Sequence, residues 1–180
     1  GAENFSGLKF VSVSGDVNQP GVYEIPVGTT VAELIQQAGG VPDGAAVKAF
    51  LPGGASSNFL PAGRLDTPLD FDTIAAAGSM LGTGAVIVIS GERDLFDLAT
   101  NLVQFFRNES CGKCVPCRIG SHYAVGLLES VSDGSAAPDV LDELPALGLT
   151  LEQTSICGLG QAAPTALIKS FEFFRDDLPT

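Results

Sequence analysis

The chain has 180 residues, 45% of them hydrophobic, which allows one large domain or two small ones around a buried core. Its formal net charge is −12, from 21 acidic against 9 basic residues, and this excludes a nucleic-acid binder because the phosphate backbone would be repelled. Apolar runs such as AVIVI at 85–89 have the length of a strand, far short of a membrane span, and GAENFSGLKF at the N-terminus has no basic region followed by an apolar stretch. A soluble, intracellular protein without direct membrane insertion is therefore expected.

Along residues 7 to 91 the chain reads as strands punctuated by glycine and proline. LKFVSVSG alternates, DVNQPG makes a turn and VYEIPVG follows as a second strand, which predicts a hairpin. TTVAELIQQAGG predicts a short helix. Thr29 or Thr30 would cap it, Glu33 completes a capping box with Thr30, and Gly39 and Gly40 stop it. Its apolar stripe is Val31, Leu34, Ile35 and Ala38. KAFLPGG, SNFLP and AVIVIS supply further short strands, so that hairpin, helix and strands describe a β-grasp-like α+β module over residues 1–91.

From Glu92 the period changes. DLFDLATNLVQFFRN places Leu95, Leu98, Leu102 and Phe105 on one helical face, with acids at the start and Arg107 at the end. Pro116 suits a first helical position before RIGSHYAVGLLESV. Pro138 opens a short helix, PDVLDEL, and Pro164 opens the last, with Leu167, Ile168, Phe171 and Phe174 facing inward. Four helices with short connections predict a small bundle over 92–180.

Between two of these helices lies ESCGKCVPCRIG, with Cys111, Cys114 and Cys117 at a strict spacing of three; the fourth and last cysteine, Cys157, stands in SICGLGQAAP. Four cysteines permit two disulfides, but three within seven residues pair awkwardly, and a chain of this length holds a core without staples. A [4Fe–4S] cubane needs four thiolates around a compact body, and a C-x-x-C-x-x-C loop can supply three while Cys157 supplies the fourth. Gly112, Gly158 and Gly160 would let backbone N–H groups approach the sulfurs. A helix beginning at Pro116 would aim its positive end at the anionic cluster, and Lys113 and Arg118 would add to that field in a locally basic segment. Structural zinc usually takes two C-x₂₋₄-C pairs from separate knuckles, which the three-plus-one arrangement lacks, so zinc is the alternative. A redox dithiol does not need the third and fourth cysteines.

ESCGKCVPCRIG followed by SICGLGQAAP resembles the iron–sulfur domain of the NADH-oxidising flavoprotein subunit shared by respiratory complex I, NAD-reducing hydrogenases and NAD-dependent formate dehydrogenases. VSVSGDVNQPGVYEIPVGTTVAELIQQAGG resembles that subunit's soluble-ligand-binding β-grasp domain, and GSMLGTGAVIVI the strand leading into its helical part. The resemblance implies a [4Fe–4S] cluster on Cys111, Cys114, Cys117 and Cys157, relaying electrons between FMN and downstream iron–sulfur centres. Its implied partners are a thioredoxin-like [2Fe–2S] subunit and a larger iron–sulfur subunit, in the cytoplasm or on the cytoplasmic face of a membrane complex. FMN and NAD belong, in that family, to a larger preceding domain with a glycine-rich loop. The nearest candidate here, GSMLGTGA at 78–85, precedes its strand and opens no helix, so it fails as a dinucleotide fingerprint. The resemblance thus implies the C-terminal part of a larger polypeptide, which by itself would not oxidise NADH. CGLGQ after Ile156 is more similar to the formate dehydrogenase and hydrogenase branches than to complex I.

His122, the one histidine, is read as an exposed helical residue rather than a fifth ligand. Phe105, Phe106, Phe171, Phe173 and Phe174 are read mainly as core, which is compatible with shielding a cluster. Glu109 would cap or pair with Arg118, and the remaining acids form a solvated surface. With one histidine and no paired carboxylates, hydrolase chemistry is excluded. Against the electron-transfer reading stands a β-grasp ligand- or partner-binding module with zinc on the four cysteines.

Overall fold

The computed structural model describes residues 5–164, 168, 173 and 174. The chain divides into two compact units, Gly1–Arg93 and Asp94–Thr180.

The first unit is a five-stranded sheet with short helices. Strands β1 (Leu8–Gly15) and β2 (Gly21–Pro26) form the expected hairpin, with Val11 opposite Tyr23 and Val13 opposite Gly21. Strand β3 spans Val47–Leu51, β4 Leu60–Pro61 and β5 Ala85–Ser90, and the order across the sheet is β2-β1-β5-β3-β4. Strands β1 and β5, neighbours within the sheet, run parallel. Alternation in β1 puts Val11 and Val13 into the core beside Ile25, Phe50, Leu60, Val86 and Val88. Apolar burial of this kind is the dominant favourable term in holding the unit together, at about 25 cal/mol per Å².

Helix α1 (Val31–Gln37) starts as its sequence dictates. Glu33 N–H donates to Thr30 Oγ1 at 3.2 Å while Thr30 N–H donates to Glu33 Oε2 at 2.8 Å. Val31, Leu34, Ile35 and Ala38 are buried, as the stripe predicted. The sequence reading missed α2 (Phe71–Ala76), which follows buried Asp70; Asp70 Oδ1 accepts from Thr73 N–H at 2.7 Å and Oδ2 from Thr73 Oγ1 at 2.8 Å. The ends of β1 and β5 are tied by Asp16. Its Oδ2 accepts from Ser90 N–H at 2.9 Å and its Oδ1 from Arg93 Nη2 at 2.7 Å. The Arg93 guanidinium, helped by the Ser90 amide, holds the Asp16 carboxyl down at about 2.

The second unit is helical: α3 (Leu95–Glu109), α4 (Val115–Ser132), a 3₁₀ turn at Pro138–Glu143, α5 (Leu144–Thr154) and α6 (Gly158–Ala162). Asp94 caps α3, accepting from Phe96 N–H at 2.8 Å and Asp97 N–H at 3.2 Å. The buried face of α3 is Leu95, Phe96, Ala99, Val103 and Phe106, so the expected stripe through Leu98, Leu102 and Phe105 is corrected; Phe105 is exposed. The helix carries apolar residues on two adjacent stripes, and which one faces inward is decided by the helices against it. PDVLDEL is not a helix of its own but the 3₁₀ lead into α5, and Pro116 takes the second position of α4, after Val115. Helices α4 and α5 pack where Gly120 leaves room for Leu151: a Cβ there would stand 2.5 Å from Leu151 Cδ1. Gln104 Nε2 on α3 donates to Glu129 Oε1 on α4 at 2.9 Å. The helix expected from Pro164 lies largely outside the described residues, Leu167 and Phe171 with it; Phe174 is buried. Among the described residues no helix is long and apolar enough to cross a membrane.

Candidate metal centre

All four cysteines are free thiols, two exposed (Cys111, Cys157), one half-buried (Cys114) and one buried (Cys117). They occupy two loops of the second unit. The first follows α3. Ser110 ends that helix, and Gly112 turns the chain with φ 73, a left-handed conformation that a side chain would strain. Arg118 Nη1 donates to the Gly112 carbonyl at 3.3 Å, clasping the loop to the first turn of α4, and so serves the loop rather than pairing with Glu109. Cys114 is the N-cap of α4 and Cys117 sits in its first turn. The second loop follows α5: Ser155 ends that helix, and Cys157 is the N-cap of α6.

The two loops meet. Backbone N–H groups of Ile156 and Cys117 beside the Cys114 sulfur hold its pKa below the ordinary thiol value. Ile156 immediately precedes Cys157, so the second loop reaches the first at Cys114. At the other flank, a Cβ on Gly160 would stand 2.8 Å from Cys117 Cβ and 2.5 Å from Ser155 Oγ. Glycine is thus required there for packing against Cys117 and Ser155. At Gly158 a Cβ would meet nothing within 4 Å.

Neither Cys114 nor Cys157 offers an oxygen cap to its helix, and the Cys117 N–H in the first turn of α4 turns towards the Cys114 sulfur instead. Such groups carry partial positive charge and favour an anion. Ser110 Oγ accepts the Gly112 N–H at 3.3 Å and shares a hydrogen bond with Cys117 Sγ at 3.3 Å, in which either atom can donate. Ser155 Oγ is buried without a partner. Neither serine was singled out from the sequence. Each stands within two residues of a cysteine, in ESC and SIC, but spacing alone does not say where a hydroxyl points.

The thiols are not drawn into a finished cage: among the described residues no group of three or more His, Cys, Asp or Glu side chains is gathered closely enough to hold a metal ion. The donor set nevertheless suits an anionic iron–sulfur cluster. It offers four thiols on two touching loops, helix starts without an oxygen cap, a lowered thiol pKa and an orphaned buried hydroxyl. His122 is exposed on α4, as expected, and outside this set.

Comparison with known proteins agrees. Residues 97–180 match the NADH-ubiquinone oxidoreductase-F iron-sulfur binding region, and residues 10–59 match the SLBB domain. The chain is 39% identical over 176 residues to an F subunit of the NADH-quinone oxidoreductase of Rhizobium meliloti, covering 97% of this chain and 42% of that protein. It is 37% identical over 174 residues to the F subunit of the NADH-quinone oxidoreductase of Escherichia coli, covering 96% and 39%. The chain thus spans about two fifths of these relatives. A crystal structure of an NAD+-reducing [NiFe]-hydrogenase in the H2-reduced state superposes with a TM-score of 0.86 at 31% identity, over 98% of this chain and 30% of that one. The chain thus carries an SLBB domain at residues 10–59 and an NADH-ubiquinone oxidoreductase-F iron-sulfur binding region at residues 97–180.

Proposed function

We propose that this chain is the electron-transfer part of an NADH dehydrogenase-type flavoprotein subunit, with a [4Fe–4S] cluster held by Cys111, Cys114, Cys117 and Cys157. The observation that carries the reading is the meeting of the two cysteine loops, where Ile156 N–H lies beside the Cys114 sulfur and Gly160 against Cys117. When bound, the cluster supplies one-electron chemistry. The protein's own residues hold and orient it. The thiols are presented from helix starts, Arg118 fixes the Gly112 turn, and buried Cys117 anchors the site on the packed side of α4. The exposed apolar side chains Val115 and Ile156, each next to a cysteine, suit a surface covered by another protein.

In this reading the chain stands between FMN, bound elsewhere in the same polypeptide together with the NAD site, and downstream iron–sulfur centres. Its partners are a thioredoxin-like [2Fe–2S] subunit and a larger iron–sulfur subunit, on the cytoplasmic side. We read residues 1–91 as a β-grasp domain, supported by the order β2-β1-β5-β3-β4 with β1 and β5 parallel, and residues 92–180 as the cluster domain. The segment alone carries no NADH oxidation.

The test is electron delivery. The chain, reconstituted with iron and sulfide and reduced anaerobically, is mixed with an oxidised thioredoxin-like [2Fe–2S] protein. About one electron per chain should pass, and none from Cys117→Ser. No transfer from the iron-loaded wild-type chain would contradict the reading.

A further inference from the structure

Three serines surround Cys117, and two of them are already engaged. Ser121 Oγ donates to the Cys117 carbonyl at 2.7 Å, and Ser110 Oγ lies 3.3 Å from Cys117 Sγ while accepting from Gly112. The third, Ser155, is 6% exposed and its Oγ has no partner. A buried hydroxyl without a partner is unfavourable, and alanine would fill the same place without that cost. The oxygen also has a definite neighbour. It lies 2.5 Å from where a Gly160 Cβ would stand, a point only 2.8 Å from Cys117 Cβ, so the hydroxyl is packed beside the buried Cys117.

We propose that Ser155 donates its hydroxyl hydrogen bond to sulfur of the cluster held by the four cysteines, and thereby raises its reduction potential. This rests on the cluster reading above. Reduction adds one electron and neither makes nor breaks a bond, so a donor aimed at sulfur stabilises the more negative, reduced form. Ser155 is thus a positioning and tuning residue, not a ligand. Gly160 is the device that lets the serine and the cysteine share one space.

The test uses the full chain as wild type, Ser155→Ala and Ser155→Thr, each reconstituted anaerobically. Iron per chain, the midpoint potential from a mediated titration followed by EPR, and the melting temperature of the metal-free chain are measured. Ser155→Ala should bind iron like the wild type with its midpoint moved to lower potential, Ser155→Thr should restore the wild-type midpoint, and metal-free Ser155→Ala should melt no lower than wild type. Loss of iron in Ser155→Ala but not in Ser155→Thr would equally support the hydroxyl. An unchanged midpoint in fully loaded Ser155→Ala, a lower melting temperature of the metal-free alanine variant, or loss of iron from both variants would overturn the proposal. A wild-type chain that takes up no cluster would instead sink the reading of the site itself.

Discussion

The helix starts of the two units are finished differently. In the first, α1 begins on the reciprocal Thr30–Glu33 box and α2 on buried Asp70. In the second, Asp94 caps α3 in the same manner, while α5 simply continues a 3₁₀ turn. Helices α4 and α6 begin instead on Cys114 and Cys157, with no side-chain cap at either. Where a helix start serves only the fold, this chain tends to place a Thr, Glu or Asp on it. At the two starts beside the thiols it places a cysteine and no oxygen cap, in the arrangement that favours a negatively charged group.

That contrast can be broken most severely at the thiols. Cys117→Ser and Cys157→Ser should each reduce iron bound after reconstitution from about four per chain to near none, by metal analysis, while far-UV circular dichroism of the first unit's strands is retained. Next comes the crowded glycine. Gly160→Ala should destabilise the helical unit by about 1–3 kcal/mol in urea unfolding, because its methyl would collide with Ser155 and Cys117, and should weaken iron retention as well. The caps of the sheet unit sharpen the comparison from the other side. Asp70→Ala should cost about 1 kcal/mol in urea unfolding, with iron content unchanged, since Asp70 serves α2 alone.

The smallest effect concerns acid. Asp16 has its carboxyl pKa lowered from 3.8 to about 2, so its pairing with Arg93 contributes stability above pH 3.8 that is lost as pH falls towards 2. Arg93 is 59% exposed, so solvent screening limits the contribution to about 1 kcal/mol or less. Urea midpoints measured from pH 5 down to pH 2 should fall more steeply for the wild type than for Asp16→Asn.

The sheet unit was the more legible of the two in the sequence, because its signals are local. Alternation in LKFVSVSG, the turn DVNQPG and the Thr30–Glu33 spacing each determine a few residues without reference to anything distant. Helix α2 escaped because it is only six residues long and its one cap, Asp70, sits in a run that also reads as a turn. In the helical unit the buried stripe of α3 was misassigned for a non-local reason: Leu98 and Leu102 are as apolar as Val103 and Phe106, and only the neighbouring helices choose between them. At the candidate site the cysteine spacing was legible; Gly112 and Gly160 stood out beside it, but the left-handed turn at Gly112 and the crowding of Gly160 against Cys117 and Ser155 were not legible. Nor were the hydroxyls of Ser110 and Ser155, because their roles depend on how α3, α4 and α5 end beside one another.

The most direct test of the account is the EPR spectrum of the anaerobically reconstituted full chain before and after dithionite, with iron and zinc analysis on the same sample. The account predicts about four irons per chain, visible absorption that bleaches on reduction, and a reduced-state EPR signal. About one zinc per chain, no bleaching and no signal would contradict it and leave a zinc-stapled binding module in its place.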